Sequence, residues 1–263
     1  MWDKNLGINC TLSELQDKEE FLSTGCPNLD KFLKGGIPRC GVTQIYGGSG
    51  TGKTQLALQL SIAAQIPSKC SKDVGGTAYI CTESVFPSKR LYELCEKSPI
   101  SQKCSISKDI IFIEHVTDTD DLESCILDDN KLPKLLSLQN IKLVIIDSIA
   151  ATYRTECGAE DLRKRARSLR KIGYGLHQLS KKHNIAVVCV NQVTAVMKNL
   201  DSSSTDEQPS LGISWATMVS TSLFMYRKFN SRFLRVEGSA YLPRKSIEYE
   251  ILESGFAAKS TGS

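Results

Sequence analysis

Apolar positions along this chain fall into two textures. From Val42 onward, short and nearly continuous β-branched runs alternate with longer stretches of helical spacing. The runs are Val42–Tyr46, Ala78–Thr82, Ile110–Ile113, Leu143–Ile146 and Ala186–Val190. An unbroken apolar run of that length suits a parallel strand buried on both faces. The stretches between them predict helices over Gln55–Ile66, Ser88–Lys97, Asp120–Ser137 and Asp161–Lys182. Such alternation predicts a wound α/β sheet flanked by helices. Beyond Ala216 the strands crowd together at Ser222–Tyr226, Phe233–Glu237 and Ile247–Leu252, which predicts an antiparallel extension of the same sheet. Lys69–Gly76 and Lys198–Gly212 read as loops.

Composition narrows the class. Of 263 residues, 41% are hydrophobic and 24% charged, which excludes global disorder and collagen-like structure. The apolar run around Leu143–Ile146 ends at Asp147, far short of the ~20 residues a membrane-spanning helix needs. Met1–Cys10 carries Asp3, Lys4 and Asn5 and has no apolar signal-peptide centre. Ten cysteines are scattered from Cys10 to Cys189 with no C-x-x-C pair, and Cys81 and Cys189 sit inside apolar runs. That is the pattern of free thiols in a reducing compartment, cytosol or nucleus. His115, His177 and His183 have no cysteine at ligand spacing, so no zinc site is expected.

The chemistry starts at Gly47-Gly48-Ser49-Gly50-Thr51-Gly52-Lys53-Thr54, which satisfies G-x-x-x-x-G-K-[ST]. A predicted strand precedes it and a predicted helix follows it. Glycines let the backbone curl so that its N–H groups face phosphate oxygens, and the helix amino end adds a favourable dipole. Lys53 would reach the terminal phosphates of ATP, and the Thr54 hydroxyl would ligate Mg²⁺. Asp147 ends the run Lys142–Asp147, the place from which a phosphate-loop protein supports its Mg²⁺ shell. Hydrolysis also needs a group that orients water. Glu83 follows the strand Ala78–Thr82 and could serve, because strand carboxyl ends face the ligand crevice in such sheets. Gln192 follows Ala186–Val190, where an amide could sense a γ-phosphate.

These segments resemble the RecA-like recombinases of eukaryotes, and among them the recombinase paralogs. The resemblance is carried by Thr24-Gly25-Cys26-Pro27-Asn28-Leu29-Asp30, Leu33–Ile37, Gly52–Gln55 and Tyr79–Glu83. It continues through Ile146-Asp147-Ser148, Tyr153-Arg154, Asn191-Gln192-Val193 and Leu211–Ala216. It spans about Leu22 to Phe256 in the family's order. It implies a RecA-type ATPase core over residues 23–256, after a short amino-terminal segment 1–22 and before a tail 257–263. The implied setting is the nucleus, with the cytoplasm also open, in double-strand break repair by homologous recombination. Lys53, Glu83 and Gln192 are the implied catalytic residues, Gly47–Gln55 and Arg90 the nucleotide contacts, and Thr54 with Asp147 the Mg²⁺ site. Arg90 would stack on adenine. The implied partners are a second recombinase paralog, the main recombinase filament, and single-stranded or branched DNA. Two features depart from the family: no Phe-x-x-Ala precedes Thr24, and Gly238–Pro243 lacks the acid that strand-exchanging members carry before their Leu-Pro pair.

Charge bears on where DNA would lie. The overall +4 hides two basic segments. Arg154–Lys182 has nine Lys/Arg against three acids, with Arg163, Arg167 and Arg170 at one helical stripe. Together with Arg154 these are the candidate DNA contacts, because the family's first DNA loop follows Asp147. Arg227–Lys245 has six bases against Glu237, and Ala195–Ile213 is acidic and lacks aromatic residues. Two readings follow. The chain is a DNA-dependent ATPase subunit assisting a recombinase filament, with weak hydrolysis, or an interaction subunit in which ATP is a structural switch without turnover. A small-molecule kinase leaves Gln192 and Trp215-Ala216 unexplained.

Overall fold

The structure, a computed structural model, describes residues 20–67, 74–83, 85–153, 159–196 and 206–260. A short ladder comes first: β1 (Phe21–Leu22) pairs antiparallel with β2 (Ile37–Pro38), and α1 (Pro27–Phe32) lies between them. The apolar runs then become five parallel strands: β3 (Val42–Gly47), β4 (Gly76–Cys81), β5 (Ile111–His115), β6 (Ile141–Asp147) and β7 (Ala186–Asn191). All residues of β3, β4 and β7 are buried, which is why their sequences do not alternate. Helices follow as α2 (Lys53–Ala63), α3 (Ser88–Lys97), α4 (Thr119–Leu127), α5 (Leu132–Leu138) and α6 (Ala159–His183). The expected single helix Asp120–Ser137 is two. Asp118 caps α4 at the Asp121 N–H (2.8 Å), the chain turns at Asp128, and Pro133 in the first turn restarts it as α5.

The carboxyl-terminal part is a correction in detail. β8 (Val193–Val196) and β9 (Asp206–Pro209) form a separate antiparallel pair, β9 falling inside the expected loop Lys198–Gly212. After the short α7 (Gly212–Ala216), β10 (Thr221–Lys228) joins β3 in parallel, and only β11 (Ser231–Ser239), β12 (Ser246–Leu252) and β13 (Gly255–Ala258) continue antiparallel. The nine-stranded order is β13-β12-β11-β10-β3-β7-β6-β4-β5.

Two apolar layers cover this sheet. One gathers Leu29, Leu56, Leu60, Tyr79, Ile145, Met225 and Tyr249 around α2. From Leu56 to Ala63 that helix is wholly buried, and its two polar residues there are hydrogen-bonded, Gln59 to the carbonyls of Thr24 (3.0 Å) and Phe256 (3.3 Å) and Ser61 to that of Ala57 (3.0 Å). The other packs Val144, Ile146, Leu169, Ile172, Leu176 and Trp215 beneath α4 and α6. Trp215 is tied down by its indole N–H, which donates to Gln44 Oε1 (2.6 Å). Cys26, Cys81, Cys125 and Cys189 are buried free thiols. No described helix is long and apolar enough to cross a membrane.

Candidate nucleotide-binding site

The phosphate loop is the turn from β3 into α2. At Gly47 a Cβ would lie 2.0 Å from the Met225 carbonyl oxygen of β10, so only glycine lets the two strands close there. Gly52, at φ 105°, precedes the helix in the left-handed region, and a Cβ would strike Ile251 Cδ1 at 2.1 Å. No side chain caps the amino end of α2, which leaves its first N–H groups directed at the loop. Lys53 donates to the carbonyls of Gly47 (2.8 Å) and Gly48 (2.9 Å), folded over the cradle it helps to form.

Strand register brings the other groups in. Asp147 pairs with Cys81 on one side and Val190 on the other. Glu83 and Gln192 stand two residues beyond those partners, so both flank the end of β6 on the same face. Gln192 Nε2 donates to Glu83 Oε1 (2.9 Å) and Oε2 (3.2 Å). Asp147 Oδ2 accepts from the Thr54 hydroxyl (2.9 Å) and from the Tyr79 phenol (2.8 Å). One cleft of about 320 Å³ is lined by Ser49, Gly50, Gly52, Lys53, Thr54 and Gln55 together with Glu83, Asp147 and Gln192.

The electrostatics fit the geometry. Burial pushes the Asp147 carboxyl above its ordinary value, the hydrogen bonds from Tyr79 and Thr54 pull it back, and the charges of Glu83 and Lys53 act in opposite directions. Burial, then Asp147, raises the Tyr79 phenol well above its usual range and the Cys81 thiol to about 12. Cys81 is therefore a neutral filler beside the carboxylate. A lysine over a backbone cradle, with a hydroxyl and a carboxylate oxygen 2.9 Å apart, suits a triphosphate and a hard divalent cation.

The sequence pattern of the Rad51 family matches residues 18–259. The chain belongs to the Rad51 family. It is 37% identical to the cattle (Bos taurus) DNA repair protein XRCC3, over 91% of this chain and 75% of the relative. The mouse (Mus musculus) XRCC3 is 38% identical over 91% and 77%. The Schizosaccharomyces pombe DNA repair protein rhp57 is 32% identical over 91% and 79%. The RecA-type core expected from the sequence is thus a Rad51-family fold, with a mostly parallel sheet and antiparallel strands at its carboxyl-terminal edge.

Within this Rad51-family core, Arg90 lies on α3 beside the loop. Its guanidinium donates to Gln55 Oε1 (2.8 Å), to Glu93 Oε2 (3.1 Å) and to the carbonyls of Glu253 (3.0 Å) and Leu252 (2.7 Å). Arg163, Arg167 and Arg170 lie exposed along α6, whereas Arg165 turns inward to the Ser210 carbonyl (3.0 Å). Arg154 falls outside the described residues.

Sequence reasoning missed three supports of the site. Tyr79 shares the Asp147 oxygen with Thr54; its place two and four residues before Cys81 and Glu83 puts all three on one strand face, a signal that was readable. Tyr249 donates to the Thr51 carbonyl (2.6 Å) and Arg227 to the Gly50 carbonyl (2.7 Å). Both come from strands some two hundred residues away, and no local pattern announces them.

Proposed function

We propose that this chain is an ATP-binding, DNA-dependent ATPase of recombinational DNA repair, working as a paralog subunit in the nucleus. Its assignment to the Rad51 family and its likeness to proteins named for DNA repair support that setting. The observation that carries the enzymatic part is the Gln192–Glu83 hydrogen-bonded pair at the mouth of the phosphate cleft, beside the Thr54–Asp147 pair.

Lys53 and the loop N–H groups hold the triphosphate, and Thr54 with Asp147 would hold Mg²⁺. Bound there, Mg²⁺ supplies neutralisation of charge on the phosphate oxygens. Glu83 accepts a proton from water as the water oxygen forms its bond to the terminal phosphorus and the bridging P–O bond breaks in line. Gln192 keeps the Glu83 carboxylate at the cleft and links it to β7 and the segment beyond. Lys53 stabilises the charge that develops on the transferred group. Single-stranded or branched DNA would lie along the exposed Arg163, Arg167 and Arg170 and on Arg154, and a second recombinase paralog and the main recombinase filament are the partners.

The test is ATP turnover of the assembled complex with and without single-stranded DNA, in the wild type, Lys53→Ala and Glu83→Gln. DNA-stimulated turnover lost in both variants supports the ATPase reading. Repair that survives Glu83→Gln but not Lys53→Ala assigns ATP the role of a structural switch.

A further inference from the structure

Helix α6 carries arginines on two faces. Arg163, Arg167 and Arg170 share the exposed stripe, whereas Arg165 and Ser168 stand about half a turn round the helix and bond inward. The Arg165 guanidinium donates to the Ser210 carbonyl at 3.0 Å and lies 5.8 Å from the centre of the Tyr153 ring.

Ser210 leads to the Gln192–Glu83 pair. It stands between β9 and α7, and the β8–β9 pair starts at Val193 opposite Pro209, so Ser210 and Gln192 meet at its base. There the Ser210 N–H donates to the Gln192 carbonyl (3.1 Å), while the Ser210 hydroxyl donates to Asn191 Oδ1 (3.5 Å). The Gln192 side chain in turn donates to both Glu83 oxygens, at 2.9 and 3.2 Å. A connected path therefore runs from the Arg165 guanidinium, through Ser210 and Gln192, to the carboxylate at the cleft.

The other side of Arg165 is anchored. Tyr153, 1% exposed, ends the 3₁₀ turn Ala151–Tyr153 shortly after Asp147. Its hydroxyl lies 2.9 Å from Ser168 Oγ, and Ser168 gives its one proton to Glu123 Oε2 (3.0 Å), so Tyr153 is the donor of that contact. Lys171 fixes Glu123 at 2.7 Å, and Thr119 at the start of α4 donates to the Thr152 carbonyl (2.9 Å). Hydroxyls polarised in series toward one carboxylate hold the ring in place, and the ring holds the guanidinium above it.

We propose that Arg165 is a positioning residue of the nucleotide site: it holds Ser210, Ser210 holds the Gln192 backbone, and the Gln192 amide is thereby kept on Glu83. Arg165 acts through Gln192 and not on the nucleotide. This role rests on the reading that Glu83 orients the attacking water.

The test is single-turnover ATP hydrolysis by the full chain in its assembled complex, without DNA, beside equilibrium ATP binding and amide hydrogen exchange. Arg165→Met keeps the aliphatic stem and removes the donor. Its hydrolysis rate is expected to fall roughly ten-fold while ATP affinity stays within about two-fold of wild type. Arg165→Lys retains one charged donor for the carbonyl and should recover most of the loss. In a Gln192→Ala background Arg165→Met should cost nothing further, because the residue it acts through is gone. Tyr153→Phe keeps the ring but releases Ser168; it is a milder second variant, with an expected loss of about three-fold that also vanishes in that background. Exchange at the peptide carrying Ser210 should quicken in Arg165→Met. Hydrolysis equal to wild type in both variants, the same fold-loss with and without Gln192, or unaltered exchange at Ser210 overturns this role. Unchanged hydrolysis with only a reduced salt slope for oligo(dT) binding makes Arg165 a phosphate contact, which overturns it too. If Glu83→Gln loses turnover and the Arg165 variants do not, only the positioning role falls; if Glu83→Gln turns over as wild type does, the ATPase reading falls with it.

Discussion

Gln192 reaches across the end of β6 and donates its amide to both oxygens of Glu83. The two residues lie 109 positions apart and meet because each stands two steps beyond a strand residue paired with Asp147. A carboxylate clamped in this way keeps one orientation toward the cleft. Glu83→Gln is expected to lower turnover by about 10²–10⁴-fold while ATP affinity stays near wild type, since the loss is that of a base. Gln192→Ala frees Glu83 and should lower turnover less, and should also blunt any stimulation by DNA. Single-turnover hydrolysis beside equilibrium ATP binding checks both. An equal loss of binding in either variant would refute the assigned roles.

Asp147 carries the opposite kind of cost. Burial raises its carboxyl above the value it has in the unfolded chain, so the folded state holds more protons between those two values. Stability of the nucleotide-free protein should therefore fall as pH rises through that window, and remain lower above it. Asp147→Asn keeps an oxygen for the Thr54 and Tyr79 hydroxyls but removes the buried charge. The variant should unfold at a higher temperature than wild type at pH 7 without nucleotide, with a flatter pH dependence across the carboxylate range. Its affinity for Mg²⁺·ATP should drop about 10–100-fold. Thermal unfolding across pH, paired with ATP titration, measures both signs.

Much of this was legible from the residues. The phosphate loop, Asp147, Glu83 and Gln192 each follow an apolar run, and in a parallel sheet every such position lands on one edge. Other features depend on pairings that a linear pattern does not encode. Ser222–Tyr226 reads the same whether its neighbour is parallel or antiparallel, and it lies parallel to β3. The split of Asp120–Ser137 was readable, since Asp128-Asp129-Asn130 and Pro133 interrupt the helical spacing. Tyr249 and Arg227 were not, because their acceptors are carbonyls in a distant loop.

That distance makes Tyr249 a useful probe. Its phenol, raised above the usual range by burial, donates to the Thr51 carbonyl, and its ring stacks on Phe256 at 4.4 Å. Tyr249→Phe keeps the ring and leaves that carbonyl one donor short. The cost should be about 1–3 kcal/mol, seen as a melting temperature lower by several degrees. ATP affinity should fall with it, because the loop loses a brace. A variant with lowered stability but unchanged nucleotide affinity would show that the brace serves the fold alone.

The α6 cations give the prediction in which folding and function pull apart most plainly. Arg163 and Arg167 are four residues apart and Arg167 and Arg170 three, so each pair repels along one helical stripe. Each such pair destabilises a helix by about 0.2–0.5 kcal/mol. A face kept only for solubility has no need of that arrangement, since acids interspersed at the same spacing would serve as well. Neighbouring cations of the same helix are partnered: Lys171 reaches the Glu123 carboxylate at 2.7 Å, and Arg165 donates to the Ser210 backbone carbonyl. Arg167→Gln/Arg170→Gln should therefore leave the protein slightly more stable. Its affinity for single-stranded DNA should fall, and the salt slope should shrink by about 1.4, two phosphate contacts at roughly 0.7 each. Anisotropy titrations at several salt concentrations, beside a melting curve, read both. A gain in stability with an unchanged slope would mark the stripe as a solvated face and move the DNA elsewhere on the molecule.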